Sequence, residues 1–160
     1  MKIPCHCPDL TEDEFQALDL QESHLSGRSF YEARVPMLSH FPVAPEMRIE
    51  KTIAEIERKG FTLVRPLRVF FADGMFIGRI MVEIETPGRR DDKVVTYGDT
   101  KLIGKTFTGP RYLVPKALKE FDRQLLRQGQ LATDYCFWYL SCQECEKEKG
   151  TKTVIYAKVK

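Results

Sequence analysis

Apolar positions recur at helical spacing in two stretches of the chain. In Arg48–Gly60, RIEKTIAEIERKG, Ile49, Ile53 and Ile56 fall on one face and charges on the others. In Pro115–Gly129, PKALKEFDRQLLRQG, the stripe is Leu118, Phe121 and Leu125. Pro45 and Pro115 stand at or just before the two starts, and Gly60 and Gly129 at the two ends. A helix tolerates proline at its first turn and favours glycine just past its last. The pattern predicts two matching helices.

What surrounds them matches too. FTLVRPLRVFFA follows the first and QLATDYCFWYLS the second, both aromatic- and branched-rich runs that predict strands. Each half then closes on a last strand, GRIMVEIETP or TKTVIYAKVK, and each helix is preceded by a strand-like run, SFYEARVPMLSHF or KVVTYGDTKLIGKTF. The chain therefore reads strand–helix–strand–strand twice. The fold class this implies is α+β: two pseudo-symmetric units, antiparallel sheets, helices on one face and a groove on the other. Residues 1–28 form an arm with a short helix, and 29–160 a single duplicated domain, with repeats at 29–87 and 93–160. Any α+β chain can be cut into similar pieces, but here order, spacing and end signals agree.

Local signals refine the elements. Thr11-Glu12-Asp13-Glu14 matches a capping box, with Leu10 and Phe15 placed for a hydrophobic staple, so a short helix runs from Glu12 to about Leu18. In Phe30–Val35, Glu32 and Arg34 alternate with Tyr31, Ala33 and Val35, which predicts one wet face. Pro66 argues for an edge or a bulge in the strand it interrupts. Asp73-Gly74 predicts a hairpin between Val69–Ala72 and Met75–Thr86, on which Ile80, Val82 and Ile84 alternate with Met81, Glu83 and Glu85. Pro87–Asp92 is the linker-like stretch between the halves, and its Arg-Arg-Asp-Asp run reads as a solvated turn.

Composition narrows the classes. The chain has 160 residues, 42% of them hydrophobic, and a formal net charge of +2 with both signs interleaved. No electrostatic footprint for nucleic acid stands out, no apolar run spans a bilayer, and MKIPCHCPDL lacks the apolar core of a signal peptide. The expected compartment is the cytoplasm, where cysteines are free thiols, metal ligands or redox groups more often than disulfides. Monomer and homodimer both remain open.

The duplicated unit resembles the GyrI-like small-molecule-binding domain, built from SHS2-type modules and found in effector-binding domains of multidrug-responsive activators and in free-standing forms. The resemblance covers roughly Ser29 to Lys160 and rests on element order and hydrophobic pattern. It implies a pseudo-twofold pair of units with helices on one side and a ligand groove between the halves on the other. It also implies a small-molecule partner, and some free-standing members are hydrolases. Many binders of this family hold cationic aromatic ligands with a groove glutamate on the strand after the second helix. Here that place falls on Trp138 or Phe137, and neither is acidic. An aromatic ring there could still stack on a flat ligand or attract a cation.

Candidate ligand-binding residues follow: Trp138, Phe137, Tyr139, Tyr97, Phe107 and Phe71, with Glu85 for charge. Aromatic, mostly apolar concavities with a few polar groups are what small-ligand sites look like, although any one of these rings is equally at home in a core. Alternation sends Phe137 and Tyr139 one way and Cys136, Trp138 and Leu140 the other. Glu83 is the candidate base for a hydrolase that activates water beside the aromatics. Serine-hydrolase, phosphate-loop, zinc-protease and dinucleotide motifs are absent. His24 and His40 stand alone in the sequence.

Five cysteines form the second constellation. Cys142-Gln143-Glu144-Cys145 sits where the second half carries surplus residues between its last two strands, and Cys5-His6-Cys7 lies near the amino terminus. If the arm lies near that turn, Cys5, Cys7, Cys142 and Cys145 could close a tetrahedral structural zinc site, with His6 as a substitute ligand. A redox dithiol and unrelated surface thiols are the alternatives. Cys136, on a strand, is expected to pack. Three functions are consistent with the sequence: a binding module for a flat or hydrophobic molecule, a hydrolase of reactive small molecules in the same groove, or a zinc- or thiol-dependent sensor.

Overall fold

The computed structural model describes residues 7–8, 10–38, 41–72, 74, 76–140 and 151–159. Helix α1 spans Glu12–Gln16, α2 Pro45–Arg58 and α3 Val114–Arg127, the last entered through a 3-10 turn at Arg111–Leu113. The strands are β1 Glu22–His24, β2 Ser29–Leu38, β3 Phe41–Pro42, β4 Val69–Ala72, β5 Ile77–Ile84, β6 Val94–Thr96, β7 Lys101–Thr108, β8 Ala132–Tyr139 and β9 Lys152–Val159. Both long helices end where the sequence places the stop. Gly60 and Gly129 adopt φ of 80° and 73°, a left-handed conformation that glycine enters without a Cβ penalty.

All strands join one open antiparallel sheet, in the order β1-β7-β9-β8-β4-β5-β2-β3, with β6 also beside β2. Its middle six strands form a palindrome: β7-β9-β8 in one half is answered by β2-β5-β4 in the other. The halves meet at the β8–β4 seam, where Phe71 pairs with Phe137 and Ala72 with Cys136. Among the described residues, no helix is long and apolar enough to cross a membrane.

Period-2 alternation divides the side chains between two faces. On one face α2 packs Ile53 and Ile56 against Tyr31, Phe71, Ile80, Val82 and Ile84, while α3 packs Phe121 and Leu125 against Phe137, Ile155 and Ala157. On the other face a separate core contains Phe30, Phe70, Met81, Trp138, Val154 and Tyr156. Neither long helix contributes to it. Instead α1 and its flanks cover it, with Phe15, Leu10, Leu18 and Leu25.

Several local expectations are corrected. The run 61–72 yields a strand only from Val69. Pro66, with no N–H for a ladder, lies in the irregular segment before it, where Leu63 makes one isolated bridge to Ile84. The run 93–107 is not one strand. A turn at Tyr97–Thr100 splits it, and β6 pairs with β2 of the first half rather than starting the second. The wet face expected of β2 is wet at Arg34 but not at Glu32, which is buried and ion-paired. The Arg-Arg-Asp-Asp turn is partly tied down: Arg89 lies 4.5 Å over the Phe61 ring, and Asp91 pairs with Lys59 at 3.1 Å.

Candidate functional site

The face opposite the long helices carries a row of rings. Tyr97 meets Phe30 edge-on at 5.5 Å between centroids, and Phe30 meets Phe70 at 5.8 Å. Phe70 in turn meets Trp138 at 5.9 Å and Tyr156 at 5.4 Å. Phe30 and Phe70 belong to the first half; Trp138 and Tyr156 belong to the second. The row therefore crosses the seam. Mostly edge-to-face contacts of this kind add stability beyond the area they bury.

Charged groups flank the row in closed pairs. Arg28 donates Nε to Glu83 at 2.6 Å and Nη2 to the other carboxylate oxygen at 2.5 Å, and its guanidinium lies 5.8 Å from the Phe30 ring centroid. Arg79 donates to Glu32 at 2.8 Å, and the Tyr97 hydroxyl donates to the other Glu32 oxygen at 2.5 Å. Burial and, next, the Glu32 carboxylate push the Tyr97 hydroxyl well above the ordinary tyrosine range. Burial likewise raises the Cys136 thiol to about 12, so it is protonated at neutral pH and is no thiolate nucleophile.

Among the described residues, one opening on this face is small. A cleft at the seam, bordered by Ala72, Met81, Tyr97 and Cys136 with Arg79 and Asp134 at its rim, has a volume of ≈ 40 Å³. That is room for about three waters, whereas a site for a drug-sized molecule needs about 300 Å³ or more. The space is filled by the chain's own amino-terminal segment. Phe15 is only 1% exposed and joins the core of Trp138, Val154 and Tyr156. Glu12 pairs with Lys152, whose ammonium lies 5.3 Å from the Phe15 ring centroid, and this hydrogen bond holds the Glu12 carboxyl below its ordinary range. Asp19 accepts from the Thr106 amide and hydroxyl at 3.0 and 3.1 Å, and β1 continues the sheet beyond β7. A glycine makes this approach possible: a Cβ on Gly104 would lie 2.7 Å from the Leu18 carbonyl oxygen.

Thr11 caps α1, accepting from the Glu14 amide at 3.1 Å. Thr11→Ala should cost about 1 kcal/mol of local stability. The expected readout is roughly fivefold faster amide exchange across residues 12–18, with the exchange of β8 and β9 unchanged.

The residues expected at the site divide between the two faces. Trp138 and Tyr97 stand in the aromatic row. Phe71, Phe137, Tyr139 and Phe107 stand beneath the helices, with Phe71 and Phe137 5.7 and 6.3 Å from Tyr139 and with Arg111 over the Tyr139 ring at 5.0 Å. Alternation forbids Trp138 from sharing a face with its two neighbours. Glu85 lies past the end of β5 and is exposed. Glu83 does face the row, held by Arg28. Phe70 completes the row with Phe30 and Tyr156, and the last two carry no signal of their own in the sequence. Of the cysteine set, Cys5, Cys142 and Cys145, together with His6, lie outside the described residues, as does His40; Cys7 is half-buried. Among the described residues no cluster of metal-ligating side chains occurs. His24 is not alone: it meets Glu22 at 3.2 Å on an exposed edge.

No protein-family profile and no curated protein matches the chain. Solved structures do. The EcmrR C-terminal domain aligns at a TM-score of 0.67 and 14% identity, over 88% of this chain and 96% of that one. EcmrR in an EcmrR–DNA complex aligns at a TM-score of 0.66 and 14% identity, over 88% of this chain and 56% of that one. A hydrolase encoded by lin2189 from Listeria innocua aligns at 0.53 and 12% identity, over 93% and 96%. The fold is thus shared with the EcmrR C-terminal domain.

Proposed function

We propose that this chain is a GyrI-like small-molecule-binding protein that holds a flat or hydrophobic ligand against the sheet face opposite its long helices. The observation that carries this reading is the aromatic row Tyr97–Phe30–Phe70–Trp138, with Tyr156 beside it, crossing the seam between the halves. Rings from both units converge there, and ring faces and edges are what a flat apolar molecule recognises. The fold shared with the EcmrR C-terminal domain agrees with the architecture that this reading needs. The seam cleft is ≈ 40 Å³, and a ligand reaches the rings that α1 covers as the amino-terminal segment yields. The free energy of that displacement lowers the apparent affinity by the fraction of molecules in the open form.

The hydrolase reading gains little from the geometry. The lin2189 protein is named a hydrolase, but both oxygens of Glu83, the base expected from the sequence, are engaged by Arg28.

The chain has one tryptophan, and it stands in the row. Titration with a panel of planar aromatic compounds should therefore change Trp138 emission saturably and raise the melting temperature. Phe70→Leu, which removes the central ring while keeping an apolar side chain, should weaken such binding at least tenfold. A panel that leaves Trp138 emission untouched, or binding indifferent to Phe70→Leu, would overturn the reading.

A further inference from the structure

Helix α1 has five residues, too few to be stable by propensity, so packing keeps it in place. Its contacts make a recognisable chemical set. One benzene ring, Phe15, is buried against Trp138, Val154 and Tyr156, and one carboxylate, Glu12, sits on the Lys152 ammonium that also overhangs that ring. Its first turn carries Glu12, Asp13 and Glu14, and Asp19 just beyond binds Thr106 and lies 3.5 Å from Lys105. The segment is thus a ring with acids beside it, laid on an aromatic floor with lysines at its rim.

We propose that α1 is an intramolecular stand-in for the ligand, and that the ligand which displaces it is an aromatic acid: a fused or single ring bearing a carboxylate that takes the place of Glu12 on Lys152. This rests on the reading that the ligand lies on this face. The charges argue for an anion and against a cation. Glu32 and Glu83, the two buried carboxylates of the face, are already neutralised by Arg79 and Arg28. When α1 lifts, Glu12 and Asp19 leave with it, and Lys152 and Lys105 lose those partners. The face then has uncompensated positive charge beside Trp138 and Tyr156. An aryl carboxylate restores both contacts with one molecule, the ring replacing Phe15 and the carboxylate taking a charge-assisted hydrogen bond from Lys152.

Three isosteric probes separate the possibilities: 2-naphthoate, neutral 2-naphthamide and cationic 2-naphthylmethylammonium, each titrated against Trp138 emission on the full chain. 2-Naphthoate is expected to bind at least tenfold tighter than the amide and tighter still than the cation. Phe15→Ala should tighten it at least tenfold, and Glu12→Gln, a change at an exposed position, about threefold. Adding Lys152→Gln to either variant should abolish the preference over the amide. In the native chain 2-naphthoate should also speed amide exchange across residues 12–18. Equal affinities, a preference for the cation, indifference to Phe15→Ala and Glu12→Gln, or protection of residues 12–18 would each overturn the ligand class. If one of these outcomes occurs while a probe still perturbs Trp138, the binding face stands and only its charge preference is wrong. If no probe perturbs Trp138 in any variant, both readings fall.

Discussion

Arg28→Ala should lower the stability of the protein by about 3 kcal/mol in urea unfolding, because it leaves a buried carboxylate without its partner. Glu83 is 6% exposed, and its two oxygens receive the Arg28 guanidinium in a fork at 2.5 and 2.6 Å. Removing one member of such a pair costs more than the pair contributes, since the remaining charge keeps its desolvation penalty. Arg28 is partly exposed, so water reaches the vacated side and the low end of the usual range applies. Glu83→Gln should be milder, about 1–2 kcal/mol, because the cation left behind can hydrate. Removing both charges together, Arg28→Met with Glu83→Leu, should recover most of the loss. This cycle also bears on chemistry. If Arg28→Ala costs well under 1 kcal/mol, Glu83 is solvated rather than locked, and the base expected from the sequence returns to consideration.

The helix side of the fold was legible because it obeys short-range rules. Ile53 and Ile56, and Phe121 and Leu125, repeat at helical spacing, and Gly60 and Gly129 end their helices in conformations that glycine favours. The aromatic face was half legible. Alternation alone separates Trp138 from Phe137 and Tyr139, but it does not say which set meets the helices. Phe70 and Phe71 pose the same problem, and here a signal existed. The Asp73-Gly74 signal predicts that β4 and β5 pair, and their pairing sets Phe71 opposite Ile80 and Phe70 opposite Met81. The strand Ile80-Met81-Val82-Glu83-Ile84 places its branched aliphatics on one side and Met81 and Glu83 on the other. Phe70 therefore belongs to the side that tolerates charge, which is the face of the row. Phe30 follows from its pairing with Glu83. The covering of that face by α1 left no such trace. A five-residue helix buries one ring, and its docking depends on Gly104 admitting the Leu18 carbonyl oxygen and on Lys152 meeting Glu12, contacts between residues more than 80 positions apart. Periodicity carries no information at that range.

Raising the pH should unfold the protein earlier than its composition suggests, with the seam responding first. Burial raises the Cys136 thiol from 9.0 to about 12 and the Tyr156 hydroxyl from 10.0 to about 12, and it pushes Tyr31 and Tyr97 upward as well. For a group whose folded value is raised, the unfolded chain loses its proton first. The stability it contributes is complete below the unfolded value and drains away as pH climbs to the folded one. For Cys136 that window is pH 9 to about 12, for Tyr156 pH 10 to about 12. At about 1.4 kcal/mol per pH unit per group, these two together should remove on the order of 4 kcal/mol by pH 11. The tyrosines of the unfolded chain reach half ionisation at pH 10, one unit above the thiol, so the loss that begins near pH 9 belongs first to the thiol. Urea midpoints measured at pH 8, 9, 10 and 11 should fall progressively, and Cys136→Ala should flatten the first step. The cavity left by the sulfur lowers the whole curve by a constant and does not change its slope. If Cys136→Ala follows the native slope between pH 9 and 10, the thiol reaches water at the seam, and the face that α1 covers is already open.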